Sequence, residues 1–187
     1  MGMDARSSLV AAALKLLEES GESGFSTRAA CAIAGVTAPT LYHHFGTADG
    51  LLSAALEAAF AEFLQSKQKQ AGERDPVRAL KGGWDDYVAF AAARPKLYAA
   101  MFARVLQGAD IPAARQSRGI LEERLARIEA LGRLALPVAA AADVTWASAH
   151  AAAVLFVTSP GAPPLLKTIA TLREAAMATV LKPAKKG

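Results

Sequence analysis

Gly35-Val36-Thr37-Ala38-Pro39-Thr40-Leu41-Tyr42-His43-His44-Phe45 is the stretch that decides how this chain is read. It follows an apolar helical segment, 26–34, and Gly35 sits at the turn. Pro39 falls in the first turn of the second segment, where a missing N–H loses no partner. Two helices joined by a tight glycine turn, the second presenting Thr, Tyr and His, are how a helix-turn-helix enters the major groove. Early residues of such a helix meet base edges and phosphates. The expected DNA contacts are Thr37, Ala38, Thr40, Tyr42, His43 and His44, with Thr47 beyond them and Arg28 from the preceding helix. Leu41 and Phe45, four apart, should point inward with Ala30 and Val36. The plainer alternative is a helical hairpin whose exposed Tyr and His do nothing.

Outward from this stretch, the chain reads as all-helical. Ala and Leu dominate and alternation at period two never lasts. Nine helices are expected, at about 5–20, 26–34, 38–44, 48–69, 76–93, 95–106, 113–134, 141–158 and 164–181. Gly21 to Gly24 end the first, Ser26 caps the second, and Thr47 caps the fourth. Loops are expected at Gly72 to Asp75 and Gln107 to Pro112, Pro137 should break the chain, and the last five residues should fray.

At 187 residues, 53% hydrophobic and 20% charged, the chain can bury a core and is not of disordered composition. The single Cys31 excludes a disulfide framework within the chain and fits a reducing, cytoplasmic setting; inert packing is its expected role. No secretory signal is apparent, because Lys15, Glu18 and Glu19 interrupt the first apolar face. The run 144–166 holds no formal charge but breaks at Ser159-Pro160-Gly161. Its unbroken part, roughly 15 residues, is short of the ~20 a bilayer needs, so a helix buried in the protein or at a dimer face is expected and no membrane partner.

Net charge is +4, yet residues 1–50 hold three cations against five carboxylates, while 51–187 hold eighteen against twelve. The segment that resembles a DNA reader is not the basic part of the chain. Weak non-specific DNA affinity follows, since each missing cation removes a counterion-release term. Protonation of His43 or His44 should strengthen binding as pH falls toward ~6.

The first ~60 residues resemble the N-terminal domain of the TetR family of bacterial transcriptional regulators. The resemblance rests on Ala13-Leu14-Lys15-Leu16-Leu17, Gly24-Phe25-Ser26-Thr27-Arg28, Ala34-Gly35-Val36-Thr37, Pro39 to Phe45, and Leu51-Leu52. It implies an all-α, nine-helix TetR-like fold, with a helix-turn-helix domain at 1–47 and a ligand-binding and dimerisation domain at 48–187. Helix 48–69 would be the connector. It implies a homodimer, a palindromic double-stranded operator, and release by a small-molecule effector. Arg94-Pro95-Lys96-Leu97-Tyr98, Met101-Phe102 and Trp146-Ala147-Ser148-Ala149-His150-Ala151 resemble the pattern of a subgroup marked by Trp-x-x-x-His-Gly, with Ala151 where Gly is usual. Three positions depart from the family: Ala48 stands where Lys is usual, Ala32 and Ile33 where polar or basic residues are, and Ala38 where Lys or Arg often is. Backbone N–H groups around Thr47 to Asp49 remain for a phosphate, with Asp49 opposing it.

A largely apolar effector is expected, lined by Trp84, Tyr87, Phe90, Tyr98, Met101, Phe102, Trp146 and His150, with Phe156 nearby. For each aromatic, plain core packing competes with that role. Asp85 and Asp86 read as solvated, though one of them could meet a cationic ligand, and Arg104 could meet an acidic one. The last two helices would form the dimer face through Ala147, Ala151, Leu155, Leu165, Ile169, Leu172 and Ala176, with Ala152 helping close approach. No Gly-rich phosphate loop, metal-spaced His/Cys/Glu set or Gly-x-Ser-x-Gly turn is present, so neither an enzyme nor a cofactor or metal is expected. The competing reading is a TetR-like helical dimer with weak or lost DNA binding, acting as a ligand-binding or protein-interaction module.

Overall fold

The computed structural model describes residues 4–69, 73–108, 111–159 and 161–183, with 66–69 described by their backbone alone. The expected loop positions 72 and 109–110, the break at 160 and the frayed end at 184–187 lie outside the described residues. The helices are α1 (Ala5–Ser20), α2 (Thr27–Ala34), α3 (Ala38–Phe45), α4 (Ala48–Lys69), α5 (Pro76–Ala93), α6 (Pro95–Leu106), α7 (Pro112–Ala130), α8 (Val138–Thr158) and α9 (Leu166–Val180). A 3-10 turn, Glu22–Gly24, links α1 to α2.

Local chemistry explains most boundaries. Asp4 caps α1 through its carboxylate and the Ser7 N–H at 2.7 Å, and Ser26 caps α2 through the Ala29 N–H at 3.1 Å. Gly35 ends α2 in the left-handed region, φ 68°, a conformation open to glycine at no side-chain cost. Thr47 accepts from the Gly50 N–H at 2.9 Å and so caps α4.

Three boundaries differ from the sequence expectation by two residues or more. α7 stops at Ala130, four residues early, because the chain turns through Gly132, φ 68°, and the Arg133 N–H returns to the Ile128 carbonyl. Leu134 is thereby freed to pair with Leu181 in an antiparallel bridge. The Ala135 N–H donates to Val180 O, and the Lys182 N–H to Arg133 O, each at 2.9 Å. This isolated pairing had no signal at period two. α8 starts at Val138 because Pro137 opens the helix instead of breaking it: the Ala141 N–H donates to the Pro137 carbonyl. α9 starts at Leu166, since Leu165 is extended.

The chain divides into two compact units, one of residues 1–63 and 94–111, the other of 64–93 and 112–187. In the first, α1 packs on α2, α3 and α6. Leu9, Leu17, Ala30, Leu41, Leu51, Ala55 and Leu97 are fully buried there. In the second, α8 is the central helix, packed against α5, α7 and α9. The core of that unit includes Leu80, Trp84, Val88, Leu125, Ile128, Ala142, Ala149, Ala152, Met177 and Val180. By length and composition α8 could cross a membrane. Instead its inner face of Ala141, Ala142, Thr145, Ala149, Ala152 and Ala153 is buried by neighbouring helices, while Asp143, Trp146, Ala147 and Ala151 are exposed. Small inner residues are what let three helices approach it.

Candidate functional site

The reader forms around α2 and α3. Ala30 and Leu41 are fully buried and hold the two helices together, as the spacing predicts. Arg28, Thr37, Ala38, Tyr42, His43, His44 and Thr47 are exposed, and Thr40 is half-buried. The Thr37 and Thr40 hydroxyls bond each other at 3.0 Å across the first turn of α3. His43 and His44 lie edge to face, with ring centroids 5.3 Å apart. Ile33 and Tyr42 are large apolar groups left 46% and 48% exposed, so this surface is less polar than a phosphate-gripping face alone would need.

Phe45 is only half-buried, and the Arg6 guanidinium lies over its ring, 5.5 Å from the centroid. Such a contact is worth about 0.5–1 kcal/mol at an exposed site. It also places a cation of α1 at the end of the reader helix. Sequence spacing carried no sign of this, because the partners are far apart in the chain. Asp4 lies close enough to His44 to feel its charge. Its carboxyl is held below the ordinary range, first by the hydrogen bonds from Ser7 and least by His44.

The turn from α3 to α4 is tight. A Cβ on Gly50 would lie 2.2 Å from the Phe45 carbonyl oxygen, so only glycine fits without a backbone shift. Past this turn, Arg104 of α6 donates to the Asp49 carboxylate and, at 3.3 Å, to the Ser53 hydroxyl. The residue considered for an acidic ligand is thus engaged with α4. Arg94 bridges Glu62 at 2.8 Å and Glu18 at 3.4 Å, and the Glu62 hydrogen bond raises its pKa above the ordinary value. Lys96 donates to the Glu19 carbonyl.

The expected effector residues fall in both units. In the first, Tyr98 and Met101 are buried, and Tyr98 stacks on half-buried Phe102 with centroids 6.5 Å apart. In the second, Trp84 is 2% exposed and is a core residue. Its indole N–H donates to Ser148 Oγ at 2.9 Å, whose hydroxyl donates to Thr145 O at 2.9 Å; Thr145 in turn donates to Ala141 O. Every donor of this buried chain is satisfied, which is what allows it inside. Tyr87, Phe90 and Phe156 are half-buried. His150 stacks on Trp146 at 5.4 Å and 5° between planes, and burial pushes its imidazole below the ordinary value. Asp85 is not merely solvated: Arg173 holds both its oxygens, at 2.9 and 2.8 Å.

Of the expected dimer residues, Ala147, Ala151 and Leu165 are exposed, and Leu155, Ile169 and Leu172 are half-buried. Ala176 and Ala152 lie in the core of their own chain, against neighbouring helices, and are not available to a partner. Leu166, not singled out from the sequence, is 83% exposed, and Trp146, expected in the effector lining, is 40% exposed. Cys31 is buried, and no group of three His, Cys, Asp or Glu suited to a metal occurs among the described residues.

Residues 9–55 match the family described as bacterial regulatory proteins, tetR family. No curated protein matches the chain. Among solved structures, the chain is similar to a protein of unknown function from Rhodococcus sp. RHA1, at 22% identity and TM-score 0.81 over 97% of both chains. It is similar to a TetR-family transcriptional regulator from Pectobacterium atrosepticum, at 26% identity and TM-score 0.77 over 95% of both. A third neighbour is FadR of Bacillus subtilis in complex with stearoyl-CoA, at 15% identity and TM-score 0.68, over 92% of this chain and 98% of that one. The last likeness, like the first, shows the fold alone. Residues 9–55 thus match the tetR-family model, and the described residues share an all-helical fold with a TetR-family transcriptional regulator.

Proposed function

We propose that the chain is a cytoplasmic repressor that binds a palindromic operator as a homodimer and is released by a small-molecule effector. The observation that carries the DNA-binding part is the exposed set Arg28, Thr37, Ala38, Tyr42, His43 and His44, borne on two helices locked by Ala30 and Leu41. Residues 1–47 are the reader in this account, and 48–187 the ligand-binding and dimerisation part. The exposed Ala147 and Ala151 on α8, with Leu165 and Leu166 at the head of α9, supply an apolar face for a second copy. Small residues on it suit close helix approach across a four-helix interface.

The effector reading rests on this chain's own side chains. Within the second unit, half-buried Tyr87, Phe90 and His150 offer apolar surface with few polar groups, which suits a largely apolar ligand. Stearoyl-CoA in the FadR neighbour is a ligand of that character. The direct test is enrichment of bound duplex from a random-sequence library. The expected result is a palindromic sequence bound by a dimer; no enrichment sinks the reader and favours a helical dimer without DNA binding.

A further inference from the structure

We propose that Arg104, on α6, is a positioning residue for DNA binding: its guanidinium neutralises Asp49 directly behind the reader helix. The inference rests on the DNA-binding reading above. Asp49 is 68% exposed, in the first turn of α4, four residues beyond Phe45. An uncompensated carboxylate there repels the phosphate backbone that the reader must approach.

Arg104 removes that repulsion from 55 residues away. Its side chain is only 19% exposed, so packing already fixes its stem before it meets Asp49 and Ser53. A cation held by burial gives up little further rotamer freedom in making the pair. One terminal nitrogen, Nη2, meets both the Asp49 carboxylate and the Ser53 hydroxyl.

Two other cations, at the N-cap and in the first turn of α6, also turn toward the amino-terminal segment. Residues 1–63 carry three cations and seven carboxylates. Arg94 answers Glu18 and Glu62, Lys96 reaches the Glu19 carbonyl, and Arg104 answers Asp49. Ala48 leaves the α4 start without a cation of its own, and α6 supplies one.

The test uses the duplex enriched by the full wild-type chain, read by fluorescence anisotropy. A unit charge roughly 8 Å from a phosphate in water changes affinity about 2.4-fold, hence about sixfold over two half-sites. Arg104→Gln is expected to weaken binding by about that factor, with the loss shrinking as salt is raised. Arg104→Gln combined with Asp49→Asn is expected to recover most of it, because the carboxylate to be masked is gone. Unchanged binding by Arg104→Gln, or a double variant no better than it, overturns the proposal; a purely structural arginine gives the latter. Melting curves run on each variant separate unfolding from lost affinity. Should Arg104→Gln fail to fold, Asp49→Asn alone decides: binding equal to or tighter than wild type supports the proposal, and weaker binding overturns it. A wild-type chain that enriches no duplex overturns the DNA-binding reading and this inference with it, whereas enrichment with an indifferent Arg104→Gln overturns this inference alone.

Discussion

Gly50→Ala sets two effects against each other at the turn behind the reader. Alanine in a helix is favoured over glycine by about 1 kcal/mol. Against that, its Cβ would sit 2.2 Å from the Phe45 carbonyl oxygen, a backbone atom that cannot swing aside. Carbon–oxygen contacts relax near 3.3 Å, so the end of α3 and the start of α4 must part by about 1 Å. Overpacking of this kind costs about 1–3 kcal/mol, which exceeds the propensity gain. Net destabilisation of about 0–2 kcal/mol is expected. The larger effect is on the reader, because Phe45 is the last residue of α3 and carries Tyr42, His43 and His44 with it. One misplaced base contact is worth about 1–3 kcal/mol, so operator affinity should fall about tenfold or more. Urea unfolding and anisotropy on the enriched duplex measure the two effects separately. A Gly50→Ala chain that is more stable than wild type and binds as tightly refutes the steric reasoning.

Three further outcomes follow from the second unit. Trp84→Phe removes the donor to Ser148 and part of a buried ring, so urea unfolding should show a loss of about 1–3 kcal/mol; no loss would show that the Trp84–Ser148–Thr145 chain is dispensable. His150 has its folded-state pKa depressed by burial, so the unfolded chain binds the extra proton first; its contribution is complete above about pH 6.5 and is lost as pH falls below that. The urea midpoint should therefore drop between neutral and mildly acidic pH less steeply in His150→Phe than in wild type, and equal slopes would contradict this. Ala151→Glu places a charge on the proposed dimer face, and sedimentation should then show monomers where the wild type sediments as a dimer; an unchanged dimer would move the interface elsewhere.

Where the sequence was legible, the cause was local. Caps at Ser26 and Thr47, the left-handed Gly35 and the apolar pair Ala30 and Leu41 each act within a few residues, so the reader could be drawn from its own stretch. α8 was legible as a covered helix because 144–166 holds no formal charge and its unbroken apolar part is too short for a bilayer. What escaped is long-range. Arg6 over Phe45 and Arg104 on Asp49 join residues that only the packing of α1, α3, α4 and α6 brings together. The Leu134–Leu181 bridge is too short to leave a periodic signal. Ala176 carries the same helical spacing as Ile169 and Leu172, and spacing alone does not say whether a face meets its own chain or another.

An amino-terminal segment of net negative charge is expected to read DNA through base contacts more than through bulk attraction. Anisotropy titration of the enriched duplex against a scrambled duplex of equal length and composition, over a range of salt, tests it most directly. Strong preference for the enriched duplex and a shallow salt dependence are expected, with few counterions released. Equal binding of both duplexes, vanishing together as salt rises, would contradict it.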